Sequence, residues 1–264
     1  AAAAKAELDM ESRLAHAIRA QEFVLHFQPQ ISLADGRLVG CEALIRWQHP
    51  ERGLVQPGEF IRLAEETQLI VPIGRWVLDE ACSQLAAWQA EPATAGLSLA
   101  VNVSAKQFRL PMFVEEIRNL IRHAGIDPSK LRLELSESAL LANINDAIIK
   151  MGALQGMGIR FALDDFGTGY SSLAYLKKLP LDQVKIDRSF VRNVLIDADD
   201  AAICRAVISL GHSLDLKVIA EGVETSSQRD FLLSQGCHYA QGYLFARPMT
   251  ADELQQWLQQ ATPA

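Results

Sequence analysis

The 264-residue sequence predicts an α/β protein, a TIM-like (β/α)8 barrel with one antiparallel strand near the N-terminus. Three features predict it. Eight short apolar or alternating runs recur along the chain, helical patterns separate them, and the first two runs lie only a hairpin apart. The length is also close to the roughly 250 residues that such barrels use. An open, doubly wound sheet fits the same alternation, so the pattern alone leaves both architectures standing.

The candidate strands are 23–28, 38–45, 97–103, 131–135, 160–163, 183–186, 217–220 and 237–241. Only Pro29 to Arg37 separates the first two, with an Asp35-Gly36 turn, which is hairpin spacing rather than a crossover. Apolar residues at helical spacing mark 60–66, 73–88, 113–123, 146–154, 172–177, 201–214, 226–233 and 251–259. Gly125 before Pro128, then Gly156, Gly158, Pro180, Gly211 and Gly236, punctuate the later elements. Leu14 and Ile18, four apart, predict a lead-in helix over 10–21. Residues 1–9 read as a disordered or cloning-derived leader, and 10–264 as a single barrel domain. Ala1 to Ala4 followed by Lys5 lacks the apolar run of a secretory signal.

A net charge of −7 and a pI near 5.4 offer no general attraction to a nucleic-acid polymer, so an anionic substrate must be held by local groups. No stretch approaches the ~20 apolar residues that span a bilayer. The expected location is cytoplasmic, with any membrane tether or upstream regulatory domain lying outside this sequence. Cys41, Cys82, Cys204 and Cys237 form no CxxC pair and sit in apolar stretches, as buried thiols of a reducing compartment do.

The informative polar residues stand at strand ends. Strand two holds Glu42, strand three ends at Asn102, and strand four carries Glu134. Strand five runs into Asp164-Asp165, strand six holds Lys185 and leads to Asp187, and the last two reach Glu221 and Gln241. A barrel delivers all these ends to one rim. Singly, each has an ordinary explanation: a helix N-cap, a turn residue, a snorkelling lysine. Jointly, so many acids in apolar strands are expensive to bury without compensating charge. Oxygen ligands of this kind favour Mg²⁺ or Mn²⁺ over zinc, and no histidine shows HExxH spacing. Five carboxylates (Glu42, Glu134, Asp164, Asp165 and Glu221) balance two divalent ions together with Lys185. Two metals about 3.5–4 Å apart form a clamp for phosphoryl chemistry, with Lys185 orienting the attacking water. The glycine-rich stretch 166–172 lacks the nucleoside triphosphate P-loop pattern and suits a lid or a support for the acids.

Glu42-Ala43-Leu44, within 41–47, resembles the motif that names the EAL-domain family of cyclic di-GMP phosphodiesterases. The resemblance continues through Phe27-Gln28-Pro29, Asn102-Val103-Ser104, 134–138, 164–169, Val184-Lys185-Ile186-Asp187, 220–225 and Gln241-Gly242-Tyr243, in family order. It implies a barrel with one strand reversed and hydrolysis of cyclic di-GMP to linear pGpG with Mg²⁺ or Mn²⁺. It places metal ligands at Glu42, Asn102, Glu134, Asp164, Asp165 and Glu221, and the lysine that contacts the nucleophilic water at Lys185. Catalysis would then fall to Lys185, Glu221, Glu42 and Asp164. It further implies substrate contacts at Gln28, Leu44, Arg46, Asp187 and Gln241, a loop-stabilising role for Glu137, and a homodimer. Ser136 stands where the family usually has threonine, keeping the hydroxyl. Two other readings remain at this point. One is a catalytically silent receptor for the nucleotide that regulates an attached domain. The other is an enolase-type barrel, for which the chain lacks the length of a capping domain.

Overall fold

The computed structural model describes residues 2–167 and 176–261. The chain begins with α1 (Ala2–Arg19), β1 (Phe23–Ser32), β2 (Leu38–His49), β3 (Gly53–Val55), α2 (Ile61–Glu66) and α3 (Ile70–Ala90). It continues with β4 (Ser98–Val103), α4 (Ala105–Phe108), α5 (Phe113–Ala124), β5 (Leu131–Ser136), α6 (Glu137–Leu141), α7 (Ile144–Gln155) and β6 (Arg160–Phe166). The last part holds β7 (Gln183–Ile186), α8 (Arg188–Arg192), α9 (Ala198–Ser213), β8 (Lys217–Ala220), α10 (Ser226–Ser234), β9 (Tyr239–Ala240) and α11 (Ala251–Ala261). The helix expected over 172–177 and the rest of the glycine-rich stretch fall largely on 168–175, outside the described residues.

The strands close. In ring order they run β1, β2, β4, β5, β6, β7, β8 and β9, which pairs back to β1, while β3 adds a hairpin to β2 outside the ring. Closure rules out the open sheet. β1 runs antiparallel to both its neighbours, and every other ring pair is parallel. The reversal follows from the short link between β1 and β2, too brief for the crossover that parallel strands require. The eight expected strands are all present, and β3 is an addition. Three short helices, α4, α6 and α8, were also not expected; each begins within two residues of a strand end and is too short to show periodicity.

Alternation along the strands divides the barrel into two environments. Outward positions such as Leu99, Val101, Leu133, Leu135, Phe161 and Val218 are almost fully buried under the helices. α3 packs on β4 and β1 with Ile70, Ile73, Val77, Leu78, Ala81, Leu85 and Trp88, an apolar stripe at three- and four-residue spacing. The entry of β1 is fixed by Phe23, whose ring lies 5.8 Å from Phe60, 5.8 Å from Trp76 and 6.2 Å from Trp47. All four cysteines are buried and unpaired, as the sequence implied. Burial pushes the Cys82, Cys204 and Cys237 thiols up to about 12, which leaves them inert. Among the described residues no helix is long and apolar enough to cross a membrane.

The ring is completed by a close backbone approach at its last joint. Val223 N–H donates to Gln241 O at 3.1 Å, and Leu244 N–H donates to Val223 O at 3.0 Å. A Cβ on Gly242 would lie well under 3.0 Å from the backbone of Val223. Only glycine lets the end of β9 close against the segment after β8. Gly242→Ala should therefore destabilise the chain by about 3 kcal/mol, the upper range for overpacking against a rigid partner. Urea unfolding measures this, and an unchanged midpoint would show that the joint can yield.

Candidate active site

Ladder pairing shows which side chains share the barrel interior. Asn102 pairs with Glu134, Glu134 with Ala162, and Ala162 with Gln183, so these four face the same way. On the other side of the ring, Glu42 pairs with Gln28 and Gly40 with Gln30. Lys185 enters from β7, Glu221 follows β8 and Gln241 follows β9. Seven of the sequence-nominated residues thus converge: Glu42, Asn102, Glu134, Asp164, Lys185, Glu221 and Gln241.

Their centre is the Lys185 ammonium, only 1% exposed. Its Nζ lies 2.5 Å from Glu134 Oε2, 2.6 Å from Glu221 Oε1, 3.3 Å from Asp164 Oδ1 and 3.4 Å from Glu42 Oε2. The snorkelling explanation for this lysine is therefore excluded. Two amides complete the ring. Asn102 Nδ2 donates to Glu42 Oε1 at 2.6 Å, and Gln241 Nε2 donates to Glu42 Oε2 at 2.5 Å and Glu221 Oε1 at 3.3 Å.

One ammonium cannot neutralise four acids, so the carboxyl groups split. Burial alone would raise Glu42, but Lys185, Gln241 and Asn102 together hold it below its ordinary value. Burial and repulsion from Glu42 push Glu134 well above the usual carboxylate range. Burial, with repulsion from Glu42 and Asp164 opposed by Lys185, takes Glu221 up to about 8. For Lys185 burial favours the neutral amine, yet Glu134, Glu221, Glu42 and Asp164 outweigh it and hold the ammonium well above its ordinary value.

Asp164 and Asp165 are neighbours in sequence, and in a regular strand they would face opposite sides. The β6–β7 register shifts between Leu163 and Phe166, and Asp165 takes φ +54°. That bulge keeps both acids at the rim, where Asp165 N–H donates to Asp164 Oδ1 at 3.0 Å. Burial, then repulsion from Asp164 and Asp187, raises Asp165 to about 6.

The donor set fits divalent cations. It is all oxygen, it carries more negative charge than Lys185 offsets, and the buried Glu134 Oε1 has no hydrogen-bond partner among the described residues. Its present arrangement points at the ammonium: among the described residues no three acids form a ready-made ligand cluster.

The remaining nominated residues lie around this centre. Leu44, Asn102, Glu134, Asp164 and Asp165 line a cavity of about 580 Å³ that extends toward Ile73 and Val77 of α3. Arg46, on the same face of β2 as Glu42 and Leu44, is 5% exposed and donates through Nη1 to Ile45 O at 2.8 Å. Asp187 caps α8 by accepting from Ser189 N–H at 2.9 Å, while lying close enough to Asp165 to raise it. Gln28 turns to Ala246 O, donating at 3.3 Å. Glu137 opens α6, and its buried Oε2 has no partner among the described residues; the loop it was expected to hold, 166–172, lies largely outside them.

Among the described residues, polar side chains that were not nominated also face the interior, including Gln30, Arg132 and Gln183. Gln30 and Gln183 are 2% and 1% exposed. Arg132 precedes Glu134 by two, Gln183 precedes Lys185 by two, and Gln30 follows Gln28 by two. The period of two that places the known acids would have found a second polar layer beneath them.

The sequence profile of the family described as EAL domain matches residues 11–248. The chain is 45% identical over 251 residues to the bifunctional diguanylate cyclase/cyclic di-GMP phosphodiesterase MucR of Pseudomonas aeruginosa, covering 95% of this chain and 36% of that protein. It is 43% identical over 255 residues to the cyclic di-GMP phosphodiesterase NbdA of the same organism, covering 96% and 32%. The chain spans about a third of the length of the curated relatives it matches. Among solved structures, the PaMucR phosphodiesterase in complex with c-di-GMP superposes with a TM-score of 0.88 at 46% identity, covering 92% of this chain and 99% of that one. The EAL enzyme Bd1971, bound to cAMP and cyclic di-GMP, gives 0.91 at 32%, covering 98% and 70%.

Two outcomes follow from this geometry. Glycine tolerates φ +54° and alanine does not, so Asp165→Gly should unfold about 1 kcal/mol later than Asp165→Ala. Denaturant unfolding of the two variants measures it; equal stability would mean that the bulge relaxes. Glu221 supplies a pH dependence. The stability its proton contributes is full below the unfolded value near 4.5 and is lost as pH rises through about 8. In chelator, Glu221→Gln should raise the melting temperature more at pH 8.5 than at pH 5, each kcal/mol relieved being worth about 2–4 °C. An equal effect at both pH values would remove the assigned shift.

Proposed function

The chain belongs to the EAL-domain family, and from that premise we propose that it is a metal-dependent phosphodiesterase hydrolysing cyclic di-GMP to linear pGpG. The observation that carries the reading is the surplus of buried carboxylate around a single ammonium. Supporting it are relatives named as cyclic di-GMP phosphodiesterases and a related structure in complex with that nucleotide.

Glu42, Asn102, Glu134, Asp164, Asp165 and Glu221 would hold two ions, Mg²⁺ or Mn²⁺. When bound, such ions polarise the phosphoryl oxygens and lower the pKa of water toward neutrality. The protein's own groups do the rest. In the ion-free site its neighbours hold Lys185 well above the ordinary lysine value, and as an ammonium it would act as a fixed cation and donor. It orients the attacking water and stabilises charge that develops on the phosphoryl group. Arg46, one turn of the pleat beyond Leu44 toward the rim, supplies a guanidinium for the phosphate, with Leu44 packing on the nucleotide. Gln28, Asp187 and Gln241 complete the assigned contacts. The water oxygen bonds to phosphorus, the P–O3′ bond breaks and the proton lost by the water ends on the departing O3′, opening the ring to pGpG. In a longer polypeptide this barrel would be the effector module of a regulated signalling protein.

The test is conversion of cyclic di-GMP by the purified chain with Mg²⁺, with Mn²⁺ and with chelator. Metal-dependent pGpG is the expected result, and binding without turnover would instead make the domain a receptor. Glu42→Ala and Asp164→Asn should each lower kcat by at least about 10²-fold while the fold persists. Near-normal turnover in either variant would sink the two-ion assignment.

A further inference from the structure

Beneath the acids, one buried amide is placed to control two of them. Gln30 lies on the reversed strand β1, opposite Gly40 of β2. Ladder partners face the same side, and the adjacent inward pair is Gln28 with Glu42, so Gln30 occupies the barrel interior one layer below Glu42. On the other side of β1 lies β9, which ends just before Gln241. There its Nε2 donates to Gln241 Oε1 at 3.0 Å, in a fully buried contact. Gln241 in turn donates from Nε2 to Glu42 Oε2 at 2.5 Å and to Glu221 Oε1 at 3.3 Å. The result is a directed chain from one amide, through a second, to two carboxylates on opposite flanks of the centre.

The direction matters because the two ends of the Gln241 amide are chemically opposite. Turned over, its carbonyl oxygen would face the Glu42 carboxylate, acceptor against acceptor in a dry interior. With its NH₂ on the acids, the amide oxygen is left buried and needs a donor of its own. Gln30 is that donor.

We propose that Gln30 is a positioning residue: it fixes the orientation of the Gln241 amide and thereby holds Glu42 and Glu221 in register for divalent cations. The inference rests on the reading that these acids bind such ions. Groups that orient metal ligands typically change affinity by about 10–100-fold when removed. Gln30→Met keeps the volume and loses the donor.

The experiment is titration of the substrate-free chain with Mn²⁺, following free ion by electron paramagnetic resonance, with circular dichroism as the check on folding. Gln30→Met should bind Mn²⁺ about tenfold or more weakly. Gln241→Met should be weakened as well, and the double variant should bind no more weakly than Gln241→Met alone, because Gln30 acts through Gln241. A purely structural role for Gln30 predicts additive losses instead. Should Gln30→Met fail to fold, Gln30→Asn, which draws the same amide back by one carbon, is expected to give the same loss. Wild-type affinity in the folded Gln30 variant, or additive losses in the double variant, overturns the inference alone. Absence of Mn²⁺ binding by the wild-type chain overturns the two-ion reading, and this inference with it.

Discussion

A single buried ammonium facing four carboxylates is the constraint on which the rest of this structure depends. Lys185 lies within 3.4 Å of an oxygen from each of Glu42, Glu134, Asp164 and Glu221, contributed by β2, β5, β6 and the segment after β8. Breaking one member of such a set leaves the others buried and unpaired, which is far costlier than loss of a surface pair. Closing the sheet is what makes the meeting possible. In an open sheet the ends of β2 and β8 would lie many strands apart, whereas ring closure through the reversed β1 brings them to one interior. The fold and the site are therefore one problem in electrostatics, solved by returning the chain to its own first strand.

The local irregularities serve the same end. The bulge in β6 spends regular pairing to keep two successive aspartates at the rim, and Asp165 bears the left-handed backbone that results. Gly242 gives up a side chain so that the ring can close tightly enough to bring Gln241 between Glu42 and Glu221. Both departures sit at the site, although left-handed backbone also occurs away from it, at Gln21, Gln68 and Asp215.

Much of this was legible in the sequence because burying charge in a strand is rare enough to stand out. Glu42, Asn102, Glu134, Asp164, Lys185 and Glu221 interrupt apolar runs, and the strand–helix alternation assigns them to one rim. The hairpin link at Asp35-Gly36 likewise announces the reversed strand. Less legible were residues whose meaning lies in a partner far along the chain. Gln30 looks like any polar residue of a strand until the ring sets it beside Gln241, more than two hundred positions away. Gln241 was assigned to substrate, whereas its visible bonds go to two acids; which amide faces which group depends on closure, not on local pattern. The short helices α4, α6 and α8 escaped notice for a different reason, since four or five residues carry no periodicity. Asp187 shows the two levels together: its oxygen caps α8, an ordinary local role, yet the same side chain raises Asp165.

The shifted carboxyls also explain how a stable barrel can carry an unstable centre. Raised values at Glu134, Asp165 and Glu221 mean that ionising them in the folded state is opposed, so near neutral pH the site works against folding. The apolar layer outside the ring supplies the compensating stability, and it does so without touching the acids. What the site loses in stability it holds as affinity for positive charge, because any cation that neutralises the acids recovers the free energy of their repulsion. Lys185 recovers part of it permanently. The remainder, directed through the oxygen of Glu134 that has no partner among the described residues and through the rim acids beyond the reach of the ammonium, is available to ions that arrive from solution. The balance of one ammonium against several acids is thus what lets the same residues both fold and bind.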